Sequence, residues 1–129
     1  MERLSIQTDK APDAIGTYSQ AVSQNGLVFL SGQIGLDPST MELIQKDFAA
    51  EAKQVFKNLS EVAMASGATL DAAVKINIYL TSLDNFQAVN EIMSTIFQQP
   101  YPARAVIGVS SLPKNANIEV DAILCLADR

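Results

Sequence analysis

Four polar side chains, spread along the chain, are candidates for chemistry. Arg104 opens an apolar segment, and its planar guanidinium is shaped to bind a carboxylate through two parallel hydrogen bonds. Glu119 lies on another predicted strand and could hold a water molecule, while Tyr18 follows a glycine-containing loop and Asn90 flanks an amphipathic helix. The pattern alone leaves plainer interpretations open: an ordinary ion pair for the two charged residues, a packed ring for Tyr18 and a solvated amide for Asn90.

Histidine does not occur in this chain. Its absence excludes histidine general bases, Ser-His-Asp triads and zinc sites built on imidazole. The single cysteine, Cys125, stands between two leucines, and we interpret it as a small hydrophobic residue rather than a nucleophile. Glycine-rich phosphate loops and C-x-x-C pairs are also missing. Any chemistry must therefore use arginine, carboxylates, hydroxyls, backbone groups and water, and we predict neither a metal nor a cofactor.

Length and charge limit the kind of protein further. The 129 residues predict one domain over 1–129, and 48% apolar residues are enough for a buried core. A net charge of −5 with scattered basic residues argues against nucleic acid as a partner. No apolar run approaches the roughly 18 residues that cross a membrane, and the N-terminus lacks a signal-peptide core. We therefore expect a cytoplasmic protein.

Hydrophobic periodicity indicates the elements that position these residues. Period-two or short apolar segments predict strands over 2–7, 19–23, 27–33, 74–80, 103–109 and 118–126. Apolar stripes at helical spacing predict helices over 47–66 and 84–98, the first with Asp47 as its N-cap and Gly67 as its stop. Asn25-Gly26 is typical of a hairpin turn.

This order of elements predicts an α+β sheet with two helices packed on one face, because both helices lie in crossover connections. We expect Arg104 to share the uncovered face with Val106, and to approach Glu119 across a hairpin formed by the last two strands. The uncovered face would also carry Tyr79 and Ile123. A half-apolar sheet face of this kind predicts burial against other subunits.

Several segments, read together, resemble the RidA/YjgF family. The similarity lies in IGTYSQA at 15–21, SGQIGLDP at 31–38, VKINIYLT with the following DNF and VN between 74 and 90, and PAR, LPK and IEV between 102 and 120. The resemblance implies a chorismate-mutase-like α+β fold and a homotrimer, a trimeric barrel with three clefts between subunits. It also implies a 2-iminobutanoate/2-iminopropanoate deaminase, which hydrolyses 2-imino acids and their enamine tautomers to 2-keto acids and ammonia without a cofactor.

The resemblance assigns roles to individual residues. Arg104 would anchor the substrate carboxylate, Glu119 would position the attacking water, and Tyr18 would close the site. The substrate cleft would further be lined by the backbone of Gly32 and by Asn90, Val106 and Ile107.

Two positions depart from the family pattern. Thr17 stands where many members have proline, which loosens the loop before the tyrosine, and Val106 stands where some members have cysteine. A non-catalytic ligand-binding or chaperone-like trimer of the same family remains an alternative. An RNA-acting protein is a weaker one, because the chain is acidic and has no histidine.

Overall fold

Eight strands and two α-helices form the described part of the chain, residues 2–126 of a computed structural model. Residue 1 and residues 127–129 of the predicted domain lie outside this range. The strands are β1 (Leu4–Ile6), β2 (Ala21–Gln24), β3 (Leu27–Gln33), β4 (Leu36–Asp37), β5 (Glu42–Leu43), β6 (Ala73–Leu80), β7 (Ala103–Gly108) and β8 (Ile118–Cys125). The helices are α1 (Phe48–Ala65) and α2 (Phe86–Ile96). Neither is long and apolar enough to cross a membrane.

Local sequence signals account for most of these boundaries. The Asp47 side chain accepts a hydrogen bond from the Ala50 amide at 2.8 Å and so starts α1 as predicted. Gly67 follows the helix with a φ of 90°, which favours glycine. Asn25 and Gly26 both have positive φ, as the tight turn between β2 and β3 requires. The short hairpin of β4 and β5 was not predicted.

One six-stranded sheet carries the fold, in the order β1-β2-β3-β8-β6-β7. Strand β8 is antiparallel to both of its neighbours, while β7 lies at the edge, parallel to β6. Both helices bury their apolar stripes in one hydrophobic cluster on one face of the sheet, as predicted. Its largest fully buried side chains include Val55, Leu59, Val62, Ile76, Ile78, Leu80, Ile118 and Leu124.

The predicted hairpin between the last two strands is wrong, because β6 lies between β7 and β8. The predicted face of Arg104 is also wrong. Arg104 pairs in register with Ile76 and Val106 with Ile78, and these two isoleucines are buried under the helices. Residues opposite one another in a sheet point to the same side, so Arg104 and Val106 lie on the helix side. Ile107 lies on the uncovered face instead, beside its partner Tyr79.

Candidate active site

Arg104 is held by α2 at the edge of the sheet. Its Nη1 donates a hydrogen bond to Asn90 Oδ1 and lies 3.7 Å from Met93 Sδ. The guanidinium carbon lies 5.3 Å from the centre of the Phe86 ring, in a cation–π contact. These contacts orient the side chain, but all three partners are neutral, and the residue is exposed. The positive charge therefore remains available to an anion.

This guanidinium faces a cavity of about 500 Å³, which we call the arginine cavity. Its wall combines apolar and aromatic side chains with the polar groups of Asn90, Ser94 and Arg104. The lining residues are Asn90, Met93, Ser94, Phe97, Tyr101, Pro102 and Arg104. An apolar hollow of this size with one cation is suited to a small organic acid.

Glu119 lies in a second hollow, of about 430 Å³, which we call the glutamate cavity. Its carboxyl group lies against Gly32, where the pairing of β3 with β8 is irregular. A Cβ atom added at Gly32 would lie 2.9 Å from Glu119 Cδ, too close for a side chain. Glycine at this position therefore lets the carboxyl group rest on the backbone of β3. Tyr18 and Lys114 line the same cavity.

Burial raises the pKa of the Glu119 carboxyl group, and the neighbouring charge of Asp121 raises it further. Asp121 is held in turn by two donors from β6: its Oδ1 accepts from the Asn77 amide at 2.8 Å and its Oδ2 from the Tyr79 hydroxyl at 3.1 Å. The pKa of Tyr79 is raised, first by burial and then by Asp121, so it stays a donor. A carboxyl group with a raised pKa is a better proton acceptor near neutral pH.

Tyr18 lies at the mouth of the glutamate cavity, 52% exposed. Its hydroxyl accepts a long hydrogen bond of 3.4 Å from the Ile15 amide. The loop before it turns at Gly16, whose φ of 120° is accessible mainly to glycine. Ser31 Oγ donates to the Ser19 carbonyl at 2.6 Å and so fixes the chain after the tyrosine. The tyrosine is thus anchored on one side, while its ring is free to contact a ligand.

The predicted residues therefore form two groups within the single chain. Arg104 and Asn90 meet in the arginine cavity on the helix side of the sheet, whereas Tyr18, Gly32 and Glu119 meet in the glutamate cavity. Within the subunit neither cavity is lined by Val106, which packs against the hydrophobic core, or by Ile107, which is 48% exposed on the uncovered face.

Sequence reasoning missed the contacts that Phe86, Met93 and Asp121 make around these residues. The spacing of Phe86, Asn90 and Met93 places them on one side of α2 and could have indicated a shared face. That Arg104 contacts all three of them depends on where β7 lies in the tertiary structure. Within residues 2–126, no group of three or more acidic or cysteine side chains is placed to hold a metal ion.

The family model described as Endoribonuclease L-PSP matches residues 8–125. The chain belongs to the RidA/YjgF/L-PSP family. This membership confirms the resemblance in the four groups of segments described above. The RidA-family chain is 44% identical over 121 residues to a protein of the mite Dermatophagoides farinae named 2-iminobutanoate/2-iminopropanoate deaminase, and the match covers 94% of each chain.

Solved structures of related proteins have the same fold as this chain. RidA from the Antarctic bacterium Psychrobacter sp. PAMC 21119 superposes with a TM-score of 0.92 at 47% identity, covering 95% of this RidA-family chain and 99% of that chain. TdcF from E. coli, whose crystal structure contains bound serine, superposes with a TM-score of 0.90 at 32% identity, covering 96% and 99%. The predicted α+β fold of this family is therefore confirmed for the single chain.

Proposed function

We propose that this RidA-family chain is a 2-iminobutanoate/2-iminopropanoate deaminase that hydrolyses 2-imino acids to 2-keto acids and ammonia without a cofactor. The observation that carries the proposal is the Arg104 guanidinium, which faces a cavity while contacting only neutral partners. The mite relative of that name, 44% identical over 94% of the chain, supports the same activity.

Arg104 would bind the substrate carboxylate. Asn90 accepts from one of its nitrogens, and the guanidinium has further N–H groups for a two-pronged interaction with a carboxylate. Stacking over Phe86 limits rotation of the group, so the bound acid would be held in one orientation. Fixing the carboxylate also fixes the adjacent C=N carbon, the atom that water must attack.

Glu119 would supply the base, but in a single subunit it cannot reach the arginine cavity, because the two residues are on opposite faces of the sheet and β6 separates their strands. We therefore propose that the site is assembled between subunits of a homotrimer. The uncovered face supports this: Phe29 is 41% exposed there and Ile107 48%. Each cleft would combine the arginine cavity of one subunit with the glutamate cavity of the next.

The reaction moves both protons of the attacking water to the substrate nitrogen. As water attacks the iminium carbon, the C=N electron pair moves to nitrogen and Glu119 accepts a proton from the water. The resulting carbinolamine takes that proton on its nitrogen. As the C–N bond breaks and the C=O bond forms, Glu119 accepts the hydroxyl proton and passes it to the departing ammonia, so the 2-keto acid and ammonium leave. A glutamate with a raised pKa suits both transfers. Tyr18 would cover the cleft from the glutamate side.

An assay in which an amino-acid dehydratase generates the imine tests the activity directly. The purified wild-type chain should accelerate imine disappearance above the rate in buffer. Tight binding of a 2-keto acid without acceleration would instead favour a non-catalytic binding protein, and no effect of either kind would refute the proposal.

Mixing two inactive variants tests the shared site. Arg104→Ala and Glu119→Gln should each be inactive alone. After co-refolding, about a quarter of the clefts in random trimers should combine one intact arginine with one intact glutamate and regain activity. Mixtures that stay as inactive as the separate variants, although size-exclusion and mass measurements show mixed trimers, would contradict a site shared between subunits.

A further inference from the structure

Asp121 is a half-buried carboxylate on the uncovered face of the sheet, held by two side-chain hydrogen bonds. It lies two residues from Glu119 on β8, so both side chains project from the same face. Both of its oxygens accept hydrogen bonds, from Asn77 and Tyr79, as an ionised carboxylate does. Tyr79 lies directly opposite Glu119 in the sheet, yet its hydroxyl reaches diagonally to Asp121. The two donors therefore hold the aspartate and leave Glu119 free.

Several titratable groups face Glu119 from the elements around it. They are Asp121 on β8, Tyr79 on β6, Asp13 and Tyr18 in the loop before β2, and Lys114 in the turn before β8. Among the described residues, Asp121 is the charge that shifts the pKa of Glu119, and it favours the protonated form. In the shared cleft proposed above, the guanidinium of Arg104 would act in the opposite direction.

We propose that Asp121 is a positioning residue that keeps Glu119 a proton acceptor and prevents it from becoming a permanent ion-pair partner of Arg104. The inference rests on the proposed function. A carboxylate that remained strongly paired with the guanidinium would be a weak base, and it would occupy the group that must bind the substrate. The negative charge of Asp121, two residues from Glu119 on the same strand, offsets that pairing.

The pH dependence of activity distinguishes this role from a structural one. Attack by water requires the ionised form of Glu119, so kcat/KM should rise as this group loses its proton and then level off. Asp121→Asn removes the neighbouring charge. The rise of kcat/KM with pH should then occur at lower pH, and its plateau value should fall because Glu119 is a weaker base. Asp71→Asn is the matched control, since it removes an exposed carboxylate in the turn before β6. Asp121→Glu should return the rise of kcat/KM toward the pH at which it occurs in the wild type.

A titration that needs no turnover gives a second test. Carboxyl carbons labelled with ¹³C in glutamate can be followed by NMR against pH, and the resonance missing in Glu119→Gln identifies residue 119. Its midpoint should lie lower in Asp121→Asn than in the wild type or Asp71→Asn. An unchanged midpoint would overturn the inference even if the enzyme is active. A wild type without turnover would refute only the proposed function, since the titration still reports on Asp121.

Discussion

Replacing Arg104 by alanine should greatly reduce kcat/KM while changing the free energy of unfolding only modestly. Hydrogen bonds to charged groups contribute about 1.5–3 kcal/mol each, so loss of a two-pronged carboxylate contact removes about 3–6 kcal/mol. That range corresponds to a fall in kcat/KM of about a hundredfold to about twenty-thousandfold. The side chain is exposed and loses only its contacts with Asn90, Met93 and Phe86, so the free energy of unfolding should fall by about 1–3 kcal/mol.

The dehydratase-coupled assay measures kcat/KM, and thermal unfolding measures the stability of the fold. Arg104→Lys is the matched comparison, because lysine keeps the charge but has neither the planar fork nor the stacking on Phe86. We expect the lysine variant to recover only part of the lost kcat/KM. If Arg104→Ala retained wild-type kinetics, the guanidinium could not be the carboxylate anchor. If the variant unfolded or lost its oligomeric state, the loss of activity would have a structural cause.

Two further predictions concern the glutamate cavity. Gly32→Ala would place a Cβ atom 2.9 Å from Glu119 Cδ, so the carboxyl group must move. We therefore expect kcat to fall by about tenfold or more. A folded Gly32→Ala variant with wild-type kcat would show that this position of the carboxyl group is not needed. The pKa of Glu119 is raised in the folded protein, so this group lowers stability as pH rises above the ordinary titration range of glutamate. Glu119→Gln should therefore unfold at a higher temperature than the wild type at neutral pH, with the difference shrinking in acid. An equal or lower melting temperature at neutral pH would contradict the burial argument.

Much of the fold follows from local signals in the sequence. The stripe of Val55, Leu59 and Val62 predicts α1, and the Asp47 cap predicts its first residue, because both depend on neighbours within a few turns of helix. Strand β3 was predicted with its observed bounds, since the Asn25-Gly26 turn defines where it begins. These features need no information about distant parts of the chain.

The candidate site is different, because tertiary pairing decides where its residues lie. The alternation in β7 contains apolar residues on both sides, Ala105 and Ile107 on one and Val106 on the other, so the pattern does not select a face. The pairing partner of β7 is set by the α2 crossover onto β6 and not by its neighbour in sequence. Sequence alone thus determined the residue types and the elements that carry them. The tertiary structure decided that Arg104 lies under α2, away from Glu119, because register and strand order depend on contacts between segments far apart in the chain.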